Sequence, residues 1–157
     1  MLAAELATLI PECCSEVLEA MYFTAVLGSS SGASAPEASL ETTDASSDLA
    51  FSLHFAGDVS GRFGLRLHLD TARSFAANFL GEDVSEISPE DANEVAGELA
   101  NMFCGSVMSR VEGDHKFVLS HPEAGPFVSY GTDDLLVSTL QTDSGEVTVW
   151  VTIEGNP

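Results

Sequence analysis

Glu98 and Asn101 stand three residues apart in a stretch that reads S-P-E-D-A-N-E-V-A-G-E-L-A-N-M-F-C-G-S-V-M-S-R-V from Ser88 to Val111. If that stretch is a helix, residues three apart are surface neighbours, and a carboxylate lies beside a carboxamide. The carboxylate can meet a cation; the carboxamide can donate and accept hydrogen bonds at once. At about 100° per residue, Ala92, Val95, Ala96, Leu99, Met102, Phe103 and Val107 share one broad face. Glu94, Glu98, Asn101 and Gly105 form a narrow stripe on the opposite one, which points to solvent or to a partner. Such a stripe is by default a wet face. Its flanks are unusual, however: Gly97, Ala100, Cys104 and Gly105 are all small. Glycine inside a helix costs about 1 kcal/mol relative to alanine, and small residues beside an exposed polar pair let another surface come close.

The elements that would position this pair follow from local pattern. Ser88 is a good N-cap with Pro89 at the first helical position, and Glu90 and Asp91 suit the positive end of the helix dipole. An earlier helix is expected from the N-terminus or Pro11 to Leu27, followed by G-S-S-S-G-A-S-A-P (residues 28–36), a flexible connector by composition. A weaker stretch lies around Leu40 to Asp44. Leu49, Phe51, Leu53 and Phe55 then alternate with Ala50, Ser52 and His54, as do Phe63, Leu65, Leu67 and Leu69 with Gly64, Arg66 and His68. That is a hairpin with one apolar face. A short helix from Asp70 to Leu80, capped by Asp70 or Thr71 and stopped by Gly81, leads to the Glu98 helix. Strands near Lys116–Ser120, Phe127–Tyr130, Leu135–Gln141 and Val147–Ile153 complete the chain, the last two as a hairpin. Period-2 alternation throughout means α+β with mostly antiparallel strands.

Helix then strands occurs twice. Ser15–Met21 aligns with Gly97–Phe103, placing Glu16 over Glu98, 82 residues apart. The outward stripe recurs as Glu12, Glu16, Glu19 and Phe23, with Glu19 standing where Asn101 stands in the second copy.

Bulk composition narrows the function classes. The 157 residues suffice for one domain with a real core, and 45% apolar against 19% charged residues argues for a folded protein. Five Lys plus Arg against 25 Asp plus Glu give a net charge of −20. Nucleic acid and anionic membranes need clustered cations and are excluded as partners. No apolar run approaches the roughly 18 residues of a membrane span, and Glu5 and Glu12 sit where a secretory leader would carry Lys or Arg, so the expected location is cytoplasmic. Cys13, Cys14 and Cys104 have neither disulfide nor zinc spacing.

The segment G-E-L-A-N-M-F-C-G (Gly97 to Gly105) resembles the signature helix of the CheC/CheX/FliY chemotaxis phosphatases, in which Glu-x-x-Asn is followed by a glycine four residues on. The element order resembles that family over nearly the whole chain, and the single intact motif is CheX-like. The resemblance implies two long helices packed on one face of the sheet and an internal pseudo-two-fold repeat. It also implies a phosphatase acting on the phosphoaspartate of a CheY-like response regulator. Asn101 would orient the attacking water and Glu98 would anchor to the regulator's active-site lysine, with Glu94, Gly97 and Gly105 meeting the partner. The chain would need no cofactor or metal of its own; the regulator would hold Mg²⁺. Against the acidity of a receiver's active site, a charge of −20 slows encounter unless carboxylates are denser away from the Glu98 stripe.

Two alternatives stay open. A CheX-like module could dock a response regulator or a flagellar switch component without catalysis. A metal or hydrolase site would have to draw on His54, His68, His115 and His121, but strand histidines on a polar face are usually cross-strand neighbours, and no nucleophile elbow, phosphate loop or His-Glu-x-x-His is present. A homodimer is expected, with Trp150, on the polar face of the last strand, either anchoring the contact or lying beneath a helix.

Overall fold

The computed structural model describes residues 2–33, 48–57, 60–111, 117–124 and 134–153. Three helices, α1 (Leu2–Met21), α2 (Leu69–Leu80) and α3 (Pro89–Ser109), accompany the strands β1 (Val26–Ala33), β2 (Asp48–Ala56), β3 (Gly61–His68), β4 (Val118–Leu119), β5 (Glu123–Ala124), β6 (Asp134–Thr142) and β7 (Gly145–Ile153). Among the described residues these strands form one sheet in the order β1-β6-β7-β3-β2-β4, with β5 also pairing β2. Every pairing is antiparallel. The architecture is the expected α+β.

The duplication is visible in that strand order. β3 and β7 meet at the centre, β2 and β6 flank them, and the outermost positions go to β4 with β5 on one side and β1 on the other. Exchanging the two halves of the chain reproduces the sheet, which is the pseudo-two-fold repeat. The helices obey the same symmetry. Tyr22 at the end of α1 reaches Met102 in the middle of α3, while Glu16 reaches Arg110 beyond its C-terminus. The two long helices therefore run antiparallel.

Both lie on one face of the sheet. Leu6, Ile10, Cys14 and Leu18 of α1 join Ala96, Leu99, Phe103 and Val107 of α3 in one core with Phe51, Phe63, Leu65, Val149 and Leu140 from the strands. Burying each of the larger side chains contributes about 1.5–3 kcal/mol. The period-2 pattern of each strand aims these residues the same way, as the register Phe51–Leu65–Val149 across β2, β3 and β7 requires. On the other face, Trp150 is 2% exposed. Its indole occupies the space above Gly64, where an added Cβ would come within 2.2 Å of the ring. It neither lies beneath the helices nor offers an exposed anchor for a second copy.

Several boundaries differ from expectation for physical reasons. α1 stops at Met21 instead of Leu27 and passes through Pro11. Val26 and Leu27 belong to β1. The connector expected at residues 28–36 is strand as far as Ala33, paired with β6 from Val26↔Thr142 to Ala33↔Leu136 around a bulge between Val26 and Gly28. Backbone groups alone make that ladder, so Gly and Ser composition does not forbid it. α2 is capped by His68, whose Nδ1 accepts from the Asp70 N–H at 3.1 Å, rather than by Asp70 or Thr71. Gly81 ends it in the left-handed conformation, φ 71°. Residues 34–36, the Leu40 to Asp44 stretch, His115 and Lys116, and the expected strand at Phe127 to Tyr130 lie outside the described residues.

Candidate functional site

The helix that carries the Glu98 pair is well anchored at its start. The Ser88 hydroxyl accepts from the Asp91 N–H at 3.0 Å and the Asp91 carboxylate accepts from the Ser88 N–H at 3.3 Å. This reciprocal capping box follows Pro89 and satisfies two orphan donors of the first turn. Downstream, Leu99, Phe103 and Val107 are fully buried and fix the rotation of the helix about its axis.

That rotation leaves Glu94, Glu98 and Asn101 exposed, side by side on the outer face. Among the described residues, Glu98 has no ion pair and Asn101 no hydrogen-bond partner in the folded chain. Their polar atoms are free to engage something else. Beneath Glu98 lies Tyr22, fully buried, whose hydroxyl donates to the Met102 sulfur at 3.6 Å. Burial, and then the nearby charge of Glu98, push the Tyr22 pKa up, so the phenol stays a neutral donor.

The small residues flanking the pair are arranged differently from expectation. Gly97 is buried, and a Cβ on it would stand 3.4 Å from the Phe51 ring. Ala100 and Cys104 are also buried. Their size lets α3 approach its own sheet and α1; it does not open the surface to a partner. Gly97 therefore drops out as a partner contact. Gly105 remains at the half-buried margin of the stripe, where among the described residues a Cβ would meet only Leu119 at 4.0 Å.

The first copy of the motif is engaged within the chain. Glu16, the twin of Glu98, is ion-paired and hydrogen-bonded to the Arg110 guanidinium just past the end of α3. That hydrogen bond and the neighbouring negative charges raise the Arg110 pKa further. Glu19 replaces the asparagine, and Phe23 stands at the position of Gly105. The sequence pattern located both stripes, but Arg110 lies 94 residues from Glu16 and no local signal announces that pairing. Tyr22 was equally hidden, because an aromatic at a helix end reads as ordinary core.

Charge is not thinned near the stripe. Glu90, Glu94 and Glu98 occupy successive turns, all exposed. Of the cations, Arg110 serves Glu16 and Arg73 donates to the Val84 carbonyl at 3.2 Å. Arg62 and Arg66 belong to β3, in register with Thr152 and Thr148 on the sheet face that carries Trp150. Among the described residues none of these arginines pairs with Glu98. Among the described residues no group of three or more His, Cys, Asp or Glu comes together as a metal site would need, and no helix is long and apolar enough to cross a membrane. The three cysteines are free and buried.

The model of the family described as chemotaxis phosphatase CheX matches residues 50–125, which include the whole of the Glu98 helix. Over those residues the chain is similar to that family, as Gly97–Gly105 led one to expect. No curated protein matches the sequence. Solved structures share the fold at low identity. A CheX from Desulfovibrio desulfuricans is 17% identical, covering 96% of this chain and 99% of its own, with a TM-score of 0.70. A CheC-like superfamily protein from Shewanella sp. PV-4 is 14% identical, covering 96% and 98%, with a TM-score of 0.76. The CheX in a CheX–CheY–BeF₃–Mg²⁺ complex from Borrelia burgdorferi is 16% identical, covering 94% and 96%, with a TM-score of 0.71.

Proposed function

We propose that this protein is a phosphatase that hydrolyses the phosphoaspartate of a CheY-like response regulator. The observation that carries the reading is the contrast between the two stripes. Glu98 and Asn101 are exposed and uncommitted on a rigid helix, whereas Glu16 is taken up by Arg110 and Glu19 has lost the carboxamide. The family-model match and the Borrelia complex, in which a CheX meets a CheY with BeF₃ and Mg²⁺, support the choice of partner.

An acyl phosphate already has a good leaving group. What accelerates its hydrolysis is a water held in line with the P–O bond and charge balanced around the transferring group. The Asn101 carboxamide accepts a hydrogen bond from that water through its oxygen and donates through its nitrogen to a phosphoryl oxygen. As the water oxygen bonds to phosphorus, the aspartyl oxygen departs with its electron pair, restoring the regulator's carboxylate. Phosphate leaves as dihydrogen phosphate, carrying the water's oxygen and both of its protons. Glu98 pairs with the regulator's active-site lysine and sets the register of the helix over the phosphoryl group. Glu94 and Gly105 border the contact. The regulator's carboxylates would hold Mg²⁺, which would supply charge neutralisation there.

Phosphate release from a phosphorylated CheY-type receiver tests the proposal. Wild type should accelerate release, and Asn101→Ala should lower that acceleration at least about a hundredfold, as loss of a water-positioning group does. Equal rates for wild type, Asn101→Ala and the regulator alone would leave a docking module without catalysis.

A further inference from the structure

Near the Glu98 stripe one residue is held in a backbone state its side chain disfavours. Phe23, directly after α1, has φ 50°, and among the described residues it is the one non-glycine with positive φ. In that region a Cβ crowds the following carbonyl, so helix ends usually place glycine there. The reversal is firmly fixed. The Leu18 carbonyl accepts from both the Tyr22 N–H at 3.1 Å and the Thr24 N–H at 3.0 Å, and the Thr24 hydroxyl donates to the Tyr22 carbonyl at 2.9 Å. The phenyl ring gains no burial in return, for it is 74% exposed. The twin position on α3 is Gly105, so the repeat itself does not require an aromatic there.

Phe23 has company. Met21 is 44% exposed, and at the end of α2 Phe79 and Leu80 are 37% and 46% exposed. The two helix ends are fastened together by the Tyr22–Phe79 stack, centroids 5.0 Å apart, and by Asn78 Nδ2 donating to the Thr24 hydroxyl at 3.4 Å. Tyr22 in turn reaches Met102 and feels the charge of Glu98, so this apolar corner adjoins the stripe.

We propose that Phe23, supported by Met21, Phe79 and Leu80, is the apolar anchor for the receiver domain whose phosphoaspartate Glu98 and Asn101 address; the inference rests on that reading of the stripe. Continuity with the Glu98 stripe, to which the proposed function assigns the receiver, selects this occupant over a second copy of the chain. The corner is bordered by exposed Glu19 and Glu98, and a two-fold contact would set the same carboxylates against each other in a protein of net charge −20. A receiver brings a lysine to Glu98 and covers the ring with a different surface. Aromatic residues enclosed by weaker contacts are the typical anchors of such interfaces, and backbone strain collects at binding sites.

Phe23→Gly separates docking from folding, because glycine adopts φ 50° freely. The thermal midpoint should hold or rise by about 2–4 °C. Binding to CheY-type receiver domains from the source genome, activated with beryllofluoride and Mg²⁺, is measured by calorimetry for wild type, Phe23→Gly, Leu80→Ser and Asn101→Ala. Phe23→Gly should weaken affinity about tenfold, Leu80→Ser by a smaller factor, and Asn101→Ala should keep most of it. In turnover, Phe23→Gly should raise KM with kcat within about twofold of wild type, since the ring touches no reacting atom. Affinity within about twofold of wild type for both Phe23→Gly and Leu80→Ser overturns the anchor while the phosphatase reading stands. Wild type that binds none of the receivers overturns both. A homodimer that Phe23→Gly dissociates without changing receiver affinity gives the corner to a second copy and likewise overturns the proposal.

Discussion

The two long helices are copies of one design, and they have been put to different uses. On α3 the outward pair Glu98 and Asn101 is exposed and engages nothing in the folded chain among the described residues. On α1 the matching glutamate, Glu16, is tied to Arg110, and the matching position 19 holds a carboxylate where the other has a carboxamide. Both helices bury the same kind of apolar face in the same core. What separates them is whether the outer polar groups are already satisfied. A stripe that has found an internal partner is scaffold; a stripe left unsatisfied on a rigid element is available for chemistry.

Substitutions made in pairs across the repeat test that contrast. The largest expected difference is at the last position of the motif: Asn101→Ala lowers regulator dephosphorylation at least about a hundredfold, and Glu19→Ala changes it by less than about twofold. Equal losses in a phosphate-release assay would mean two working edges. Next comes Glu98→Gln, which should raise KM about tenfold by removing a charge-assisted contact with the regulator's lysine, while Glu16→Gln leaves turnover unchanged. The Glu16–Arg110 pair is more than 40% exposed on both partners, so its loss should scarcely move the thermal midpoint. A change in turnover from Glu16→Gln would show that the first edge still contributes.

Where the copies meet, the expected effects are on stability. Gly64→Ala should destabilise the fold by about 1–3 kcal/mol, because a Cβ there intrudes on the Trp150 indole at the centre of the sheet. Urea unfolding measures it, and a neutral result would mean that the indole can move aside. The smallest effect belongs to the buried thiols between the helices. Burial raises the pKa of Cys14 and pushes that of Cys104 up to about 12 from an ordinary 9.0. A thiol whose folded pKa lies above its unfolded value gives full stability below that unfolded value and loses it as pH rises. The urea midpoint should therefore hold to about pH 9 and fall progressively above it. A midpoint that stays level to pH 10.5 would contradict the burial of these groups.

Most of the candidate site's placement was legible before the structure. Ser88 and Pro89 fix the start of α3, and apolar spacing fixes its rotation, so Glu98 and Asn101 had to face outward. The hairpins β2–β3 and β6–β7 follow from alternation, because a buried face imposes period 2. The failures have a common physical cause. Gly97, Ala100 and Cys104 looked like surface relief because they flank the polar stripe, yet close packing between helix, helix and sheet demands small residues too, and composition cannot tell the two apart. The Glu16–Arg110 pair and the Tyr22–Met102 contact join residues far apart in sequence, so only the antiparallel packing of α1 on α3 brings them together.

β1 is a strand spelled with a linker's alphabet. V-L-G-S-S-S-G-A pairs with β6 over its whole length, at one margin of the sheet. Strand register is normally dictated by which side chains must be inside, and Gly28 to Gly32 offers almost nothing for that rule to grip. The alignment of this edge is therefore specified from its ends, by Val26 and the bulge that follows it, rather than along its span. An edge of that kind should exchange its amide protons ahead of the central strands β3 and β7, and a one-residue slide there costs the core little.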